Sequence, residues 1–323
     1  MQRVLAIGTA ALDIKARLTR SPLPTTDVPG QITIKAGGVA RNIAENFARL
    51  GVPIVFAGIM GDDAQARLLI ELSRAAGLDV QPLARSVPAP DDLIRLKLPA
   101  GLPTATLNVV LGPDGRQIAG AFNGDILDAL QPHDLDSLHD LIEFAPAVVC
   151  DGGLPSDVLI ALRERLPEDT FFYCNPGSMA LAPRLEPLLD RLDLITCNHL
   201  EAQALTQVKV DGPAKLISAA LLLVKQGVKR AVVTFGARGL AYADGERSLY
   251  QPARPANLVD ATGAGDALAA TLIETLLRDE PIGLCLQRGL AAAALTCESE
   301  ESVAPTMSLA VLEEKMRSTN LHE

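Results

Sequence analysis

The sequence predicts an α/β fold, a mostly parallel sheet with helices on both faces and a small β-lid projecting from it. Short apolar runs alternate with amphipathic helical patterns along most of the 323 residues, as they do when strands are buried on both faces. Several of those runs end in a polar residue or a glycine (Asp151, Asn175, Asn198, Gly236), and ligands of open α/β sheets collect beyond such strand ends. The composition, 48% hydrophobic, is ample for one large core.

Taken in order, residues 4–8 form the first strand. A helical pattern over 39–50 stops at Gly51, and another over 65–76 stops at Gly77, both good C-cap signals. Between these helices lies a strand at 54–58, and further strands fall at 147–151, 171–175, 194–198 and 231–236. Two segments break the alternation. Residues 14–35 are turn-rich, and 93–122 read as a hairpin in which LIRLKL and TATLNVVL precede the turn GPDGR and the strand QIAGAF. Together they are assigned to the lid of a single domain spanning 1–323, since no linker separates independent units.

Charge and cysteine content bound the function. A net charge of −10 with no run of five basic residues argues against nucleic acid as a partner. Neither a secretory leader nor an uninterrupted apolar stretch of about 18 residues is visible, so no membrane span is expected. The five cysteines form no CxxC pair, which suits free thiols in a reducing cytoplasm.

Chemistry concentrates in Asp260-Ala-Thr-Gly-Ala-Gly-Asp266, which opens the helical run ALAATLIETLL. Glycines before a helix let backbone N–H groups converge at the positive end of the helix dipole, an anion site suited to a transferring phosphoryl group. Asp266 stands beside that site, where its carboxylate accepts a proton from an attacking hydroxyl. Taken alone, the same residues also describe a tight turn and a helix cap. The chain has no GxxxxGK[ST], and Leu268 stands where a dinucleotide fingerprint needs its third glycine. Near the start, Ala36-Gly-Gly-Val-Ala-Arg-Asn42 runs into a second helix. Gly37 and Gly38 permit close backbone approach, Asn42 offers both donor and acceptor, and Asp13 offers a carboxylate to hydroxyls.

GGVARNIAENFARLG and DATGAGDALAATLIETLL resemble, in order and in their spacing of about 220 residues, the two signature motifs of the PfkB/ribokinase family of carbohydrate and nucleoside kinases. The resemblance implies a ribokinase-like three-layer sandwich and ATP-dependent phosphorylation of a small sugar or nucleoside. It implies Asp266 as catalytic base and the amides of Gly263, Ala264 and Gly265 as anion hole. Asp13, Gly37, Gly38 and Asn42 match the positions that hold the acceptor, and Arg41 and Asn123 are grouped with them. Asn198 and Glu201 resemble the N-x-x-E element that organises Mg2+ through water. Thr234, Gly236 and Gly239 match the turn that meets the nucleotide. Asp260 and Thr262 correspond to ligands of a monovalent cation, K+ in many members. His199 is expected at the nucleotide edge or in solvent. Homodimerisation through the lid edge is the expected association.

Within the family, GGVARNIAENFARLG, AFNGDIL, CNHLEAQALT and AALTCESE are most similar to the pseudouridine-phosphorylating subgroup, with a departure at Asn175, where that subgroup usually shows an aspartate. Ribose, adenosine or fructose phosphate are the other acceptors considered. An intact Asp266 and Gly-Ala-Gly turn speak against a non-catalytic sugar-binding protein on the same fold.

Overall fold

The computed structural model describes residues 3–22, 26–78, 93–96, 101–114 and 117–319. Its centre is a parallel sheet of five strands, β1 (Val4–Thr9), β4 (Ile54–Ile59), β5 (Leu93–Leu96), β8 (Ala147–Asp151) and β9 (Phe171–Asn175), in the order β5-β4-β1-β8-β9. A four-stranded sheet extends it: β10 (Ile195–Asn198), β11 (Arg230–Thr234), β12 (Leu240–Asp244) and β13 (Ser248–Gln251), the first pair parallel and the rest antiparallel. The two meet at a bridge between Tyr173 and Leu194. Side chains reinforce that seam: Asp193 accepts from the Phe172 amide at 2.8 Å, and the Tyr173 and Thr196 hydroxyls lie 2.6 Å apart.

Both faces of the central sheet are buried, which explains why its strands read as continuous apolar runs. Leu5 and Ile7 join the core on one side, beneath α4 (Ser156–Arg165), α5 (His199–Thr206) and α6 (Pro213–Lys225). Val4 and Ala6 face the other side, under α1 (Val39–Arg49), α2 (Ala64–Ala75), α7 (Ala264–Leu276) and α8 (Ile282–Cys297). A short α3 (His139–Phe144) and the C-terminal α9 (Leu309–Thr319) complete the three layers. Among the described residues no helix is long and apolar enough to cross a membrane. All five cysteines are unpaired, and four are buried.

A separate four-stranded sheet projects from this body, formed by β2 (Ala11–Leu18), β3 (Gly30–Gly37), β6 (Thr106–Leu111) and β7 (Gln117–Asn123) in the order β3-β2-β6-β7. The segment expected as one lid from 93 to 122 is therefore divided. Leu93–Leu96 pairs in parallel with Ile54–Ile59 at the edge of the central sheet, and only the strands from 106 onward join the projecting sheet. The physical reason is the backbone of β4, a fully buried strand whose outer edge needs hydrogen-bond partners that β5 supplies. Lys97, within LIRLKL, lies outside the described residues.

Candidate active site

A cleft of about 650 Å3 opens between the carboxyl ends of the central strands and the underside of the projecting sheet. Of the sequence-predicted residues, Asp13, Gly38, Asn42, Asn198, Glu201, Thr234, Thr262, Gly263, Gly265 and Asp266 line it.

Asp266 occupies the third position of α7 and is 8% exposed. Burial, opposed by a hydrogen bond from Asn42 and reinforced by the charges of Asp151, Glu201 and Asp13, pushes its carboxyl up to about 8. Asn42 Nδ2 donates to Asp266 Oδ2 at 2.8 Å. The amide is oriented from behind, because Arg41 donates to Asn42 Oδ1 at 3.2 Å and pairs with Glu45 at 2.5 Å. Arg41, grouped with the acceptor-binding residues in the sequence, is thus 3% exposed and outside the cleft, and it supports Asn42 from beneath.

The turn before α7 is left open. Gly263 is the N-cap at φ 82° with no side-chain cap, and a Cβ there would fall 1.8 Å from the Ser302 carbonyl oxygen, so no larger residue fits. Among the described residues the amides of Gly263, Gly265 and Asp266 have no acceptor. Ala264, expected to contribute its amide, donates it to Ala261 at 3.3 Å and does not line the cleft. The open set of donors therefore keeps Gly263 and Gly265 of the Gly-Ala-Gly triplet and has Asp266 in place of Ala264.

Asp13 lies within β2, on the projecting sheet. Burial pushes its carboxyl up to about 6, against the pull of Lys15 and Arg41. Gly37 makes room for it, since a Cβ there would meet Asp13 Oδ2 at 2.5 Å. Gly38, at φ 103°, passes against the Thr9 carbonyl where a Cβ would fall at 2.3 Å. Asn123 ends β7 exposed, with its neighbour Phe122 reaching the cleft in its place.

On the other side, Asn198 and Glu201 form a capping box at the start of α5. Asn198 Oδ1 accepts from Leu200 and Glu201 at 2.9 and 3.1 Å, while Glu201 Oε2 accepts from the Asn198 amide at 2.8 Å. Burial raises the Glu201 carboxyl despite those bonds. Gly236 and Gly239 shape the turn after β11 without lining the cleft, and Gly239 packs where a Cβ would meet the Gln251 carbonyl at 2.1 Å. His199 stacks on Phe235 with ring centroids 4.3 Å apart, and Arg238 lies 4.6 Å from the same ring.

Several cleft residues carry no role in the sequence reading. Asp151 accepts four hydrogen bonds, from the amides of Thr9, Ala40 and Gly153 and from the Thr9 hydroxyl, and so ties β1, α1 and β8 together. Its only signal is a carboxylate ending the apolar run AVVCD. Asn175 holds the Tyr173 hydroxyl at 3.1 Å and accepts from the Gly177 amide at 2.8 Å. An aspartate there would meet the Tyr173 hydroxyl as an acceptor and lose the donor this network uses.

Asp260 and Thr262, matched to a monovalent-cation site, are held instead by Lys15. Its ammonium lies 2.5 Å from Asp260 Oδ2 and 3.0 Å from Thr262 Oγ1. Burial favours the neutral acid at Asp260, yet bonds from Lys15 and Thr262 outweigh it and keep the carboxyl below its usual range. Among the described residues no cluster of three or more His, Cys, Asp or Glu side chains is placed to hold a metal.

Comparison with known proteins fits this geometry. The model of the pfkB family of carbohydrate kinases matches residues 1–308. The chain is 24% identical over 311 residues to the pseudouridine kinase of Escherichia coli (strain K12), covering 95% of this chain and 94% of that one. It is 26% identical over 309 residues to the ribokinase of Arabidopsis thaliana, covering 94% and 78%. The solved structure of Arabidopsis thaliana ribokinase complexed with ribose and ATP matches with a TM-score of 0.81 at 23% identity, over 98% of this chain and 99% of that one.

Proposed function

The chain belongs to the pfkB family of carbohydrate kinases, and on that premise we propose that it phosphorylates the 5′ hydroxyl of pseudouridine from ATP, with Asp266 as general base. The observation that carries the chemistry is a buried carboxylate, fixed by Asn42 at 2.8 Å, next to backbone amides that have no acceptor among the described residues. ATP lies along the ends of β10 and β11, past Asn198 and Thr234 and the Gly236–Gly239 turn. The acceptor lies between Asp13, Gly38 and Asn42, under the projecting sheet acting as a lid that keeps water out.

The acceptor hydroxyl gives its proton to Asp266 and its oxygen forms the new bond to the γ-phosphorus. The bond from that phosphorus to the β,γ-bridging oxygen breaks, and ADP leaves with the electron pair. The amides of Gly263, Gly265 and Asp266 receive the charge that gathers on the transferring oxygens. Mg2+ bound to the phosphates would supply further neutralisation, since such ions keep most of their ligands as water and phosphate oxygen. Glu201, which lines the cleft beside Asn198, would hold that ion through water. Asp260 and Thr262 do not fit a bound K+, because Lys15 already engages both side chains.

A nucleoside acceptor is favoured by Phe122, an aromatic 52% exposed on the lid underside, where a base can stack. The sequence blocks shared with the pseudouridine-phosphorylating subgroup favour pseudouridine among nucleosides. ADP release measured across pseudouridine, uridine, adenosine, ribose and fructose phosphate tests this: turnover with pseudouridine and not uridine is expected. Preference for ribose or a phosphorylated sugar overturns the acceptor while leaving the reaction intact. The edge strand β3 of the lid carries Ile32 and Ile34, 67% and 47% exposed, and we assign this edge to a homodimer contact. Equilibrium sedimentation of wild type and Ile32→Lys should show dimer and monomer respectively. The free, mostly buried thiols are consistent with work in a reducing cytoplasm.

A further inference from the structure

We propose that Lys15 is a built-in monovalent cation: its ammonium replaces a bound ion at the Asp260–Thr262 turn and makes the anion-binding amides depend on the position of the lid. The inference rests on the phosphotransfer reading of that turn.

Lys15 stands two residues beyond Asp13 on β2, so both side chains leave the same face of the strand. Asp13 enters the cleft, while Lys15 reaches across 245 residues of sequence to Asp260. The turn closes around the ammonium. Asp260 Oδ1 accepts from the Thr262 amide at 2.9 Å and from its hydroxyl at 2.7 Å, leaving Oδ2 and the hydroxyl oxygen to receive Lys15 at 2.5 and 3.0 Å. Thr262 immediately precedes Gly263, whose amide opens the donor set.

Charge and geometry both favour the tethered group over a diffusible ion. An unpaired Asp260 would place a negative charge three residues before an anion site and weaken it, and the ammonium cancels that charge. Lys15 is held with its side chain only 16% exposed, and the partner carboxylate is 29% exposed, so the pair is partly shielded from salt. A second cavity of about 400 Å3 continues from this point under β2 and β3, lined by Arg17, Lys35 and Glu300. Lys35 is committed to Glu301 at 3.1 Å, which leaves Lys15 as the lysine that reaches the turn. Because Lys15 belongs to β2, the turn gains its cation only while the lid strand sits over the body. The ion site and the lid are thus one device.

The test compares wild type with Lys15→Met, which keeps the stem and removes the charge. ADP release and thermal unfolding are measured in chloride salts of K+, ammonium and tetramethylammonium at equal ionic strength. Wild type should show the same kcat and the same Tm in all three salts. Lys15→Met should lose roughly 10–100-fold in kcat with a smaller change in acceptor KM. K+ or ammonium should restore part of that loss and raise the variant's Tm, and tetramethylammonium should do neither. A wild-type enzyme stimulated or stabilised by K+ over tetramethylammonium overturns the proposal, as does a variant indifferent to all three. The unfolding arm needs no turnover, so it decides the matter even if no acceptor is phosphorylated, an outcome that would count against the proposed function alone.

Discussion

Two helices begin at the same cleft with an acid at their third position, and they use it in opposite ways. In α5, Glu201 reaches back to the amide of its own N-cap, while Asn198 covers the amides ahead, so that helix start is closed by its own side chains. In α7 the N-cap is Gly263, which has no side chain to give, and Asp266 turns away to Asn42 on α1. On the proposed function, the difference separates a helix start that is finished from one left open for an anion. Forgoing a cap costs about 1 kcal/mol, and burying a carboxyl raised to about 8 adds more. Such local instability, kept in place by the surrounding structure, is what a preorganised site looks like.

The sharpest way to break the contrast is Asp266→Asn. Loss of general-base action should lower kcat roughly 10²–10⁴-fold, with both substrates still bound as judged by calorimetry. The same variant should be more stable than wild type. The folded-state pKa of Asp266 lies above the ordinary 3.8, so its stability penalty grows from pH 3.8 to about 8 and is constant beyond. The Tm advantage of the asparagine variant should follow that window, reaching several degrees at its top, and an unchanged Tm at pH 8 would contradict the buried carboxyl. Next comes Gly263→Ala, whose methyl group meets the Ser302 carbonyl. Displacing the amides should lower kcat roughly 10²–10³-fold, with backbone strain of roughly 1–3 kcal/mol in denaturant unfolding.

A milder probe is pH. In the free enzyme kcat/KM should rise about tenfold per unit and level off near 8, since Asp266 must lose its proton to act as base. A limb near ordinary carboxylate values would mean another group is the base. Smallest is the effect at the closed helix start. Asn198→Ala should cost about 1 kcal/mol of stability, whereas Asn198→Asp should keep the cap and the stability.

Much of this was legible in the sequence, for reasons tied to particular residues. The central strands announce themselves because burial on both faces leaves nothing polar in AVVC until Asp151 ends the run, and the glycine at 263 marks a turn that no other residue type would make. Asn42 and Asp266 could each be chosen by position, though not their direct bond across 224 residues. What stayed hidden is set by distant pairing. LIRL looks like half of a hairpin and instead completes the edge of β4. Lys15 reads as one basic residue on a lid strand, and its meaning comes from Asp260. Arg41 looks available beside Asn42, yet helical spacing delivers it to Glu45 four residues on.

The missing side chain at position 37 has its own consequence. A single methyl group there would intrude on the Asp13 carboxyl, a flexible neighbour that would have to swing aside, and nothing in the core would register the change. On the proposed assignments, such a protein would keep its nucleotide groove and its base while losing its grip on the alcohol. ADP release that no longer depends on the acceptor is the expected signature of Gly37→Ala, a leak opened by one carbon atom.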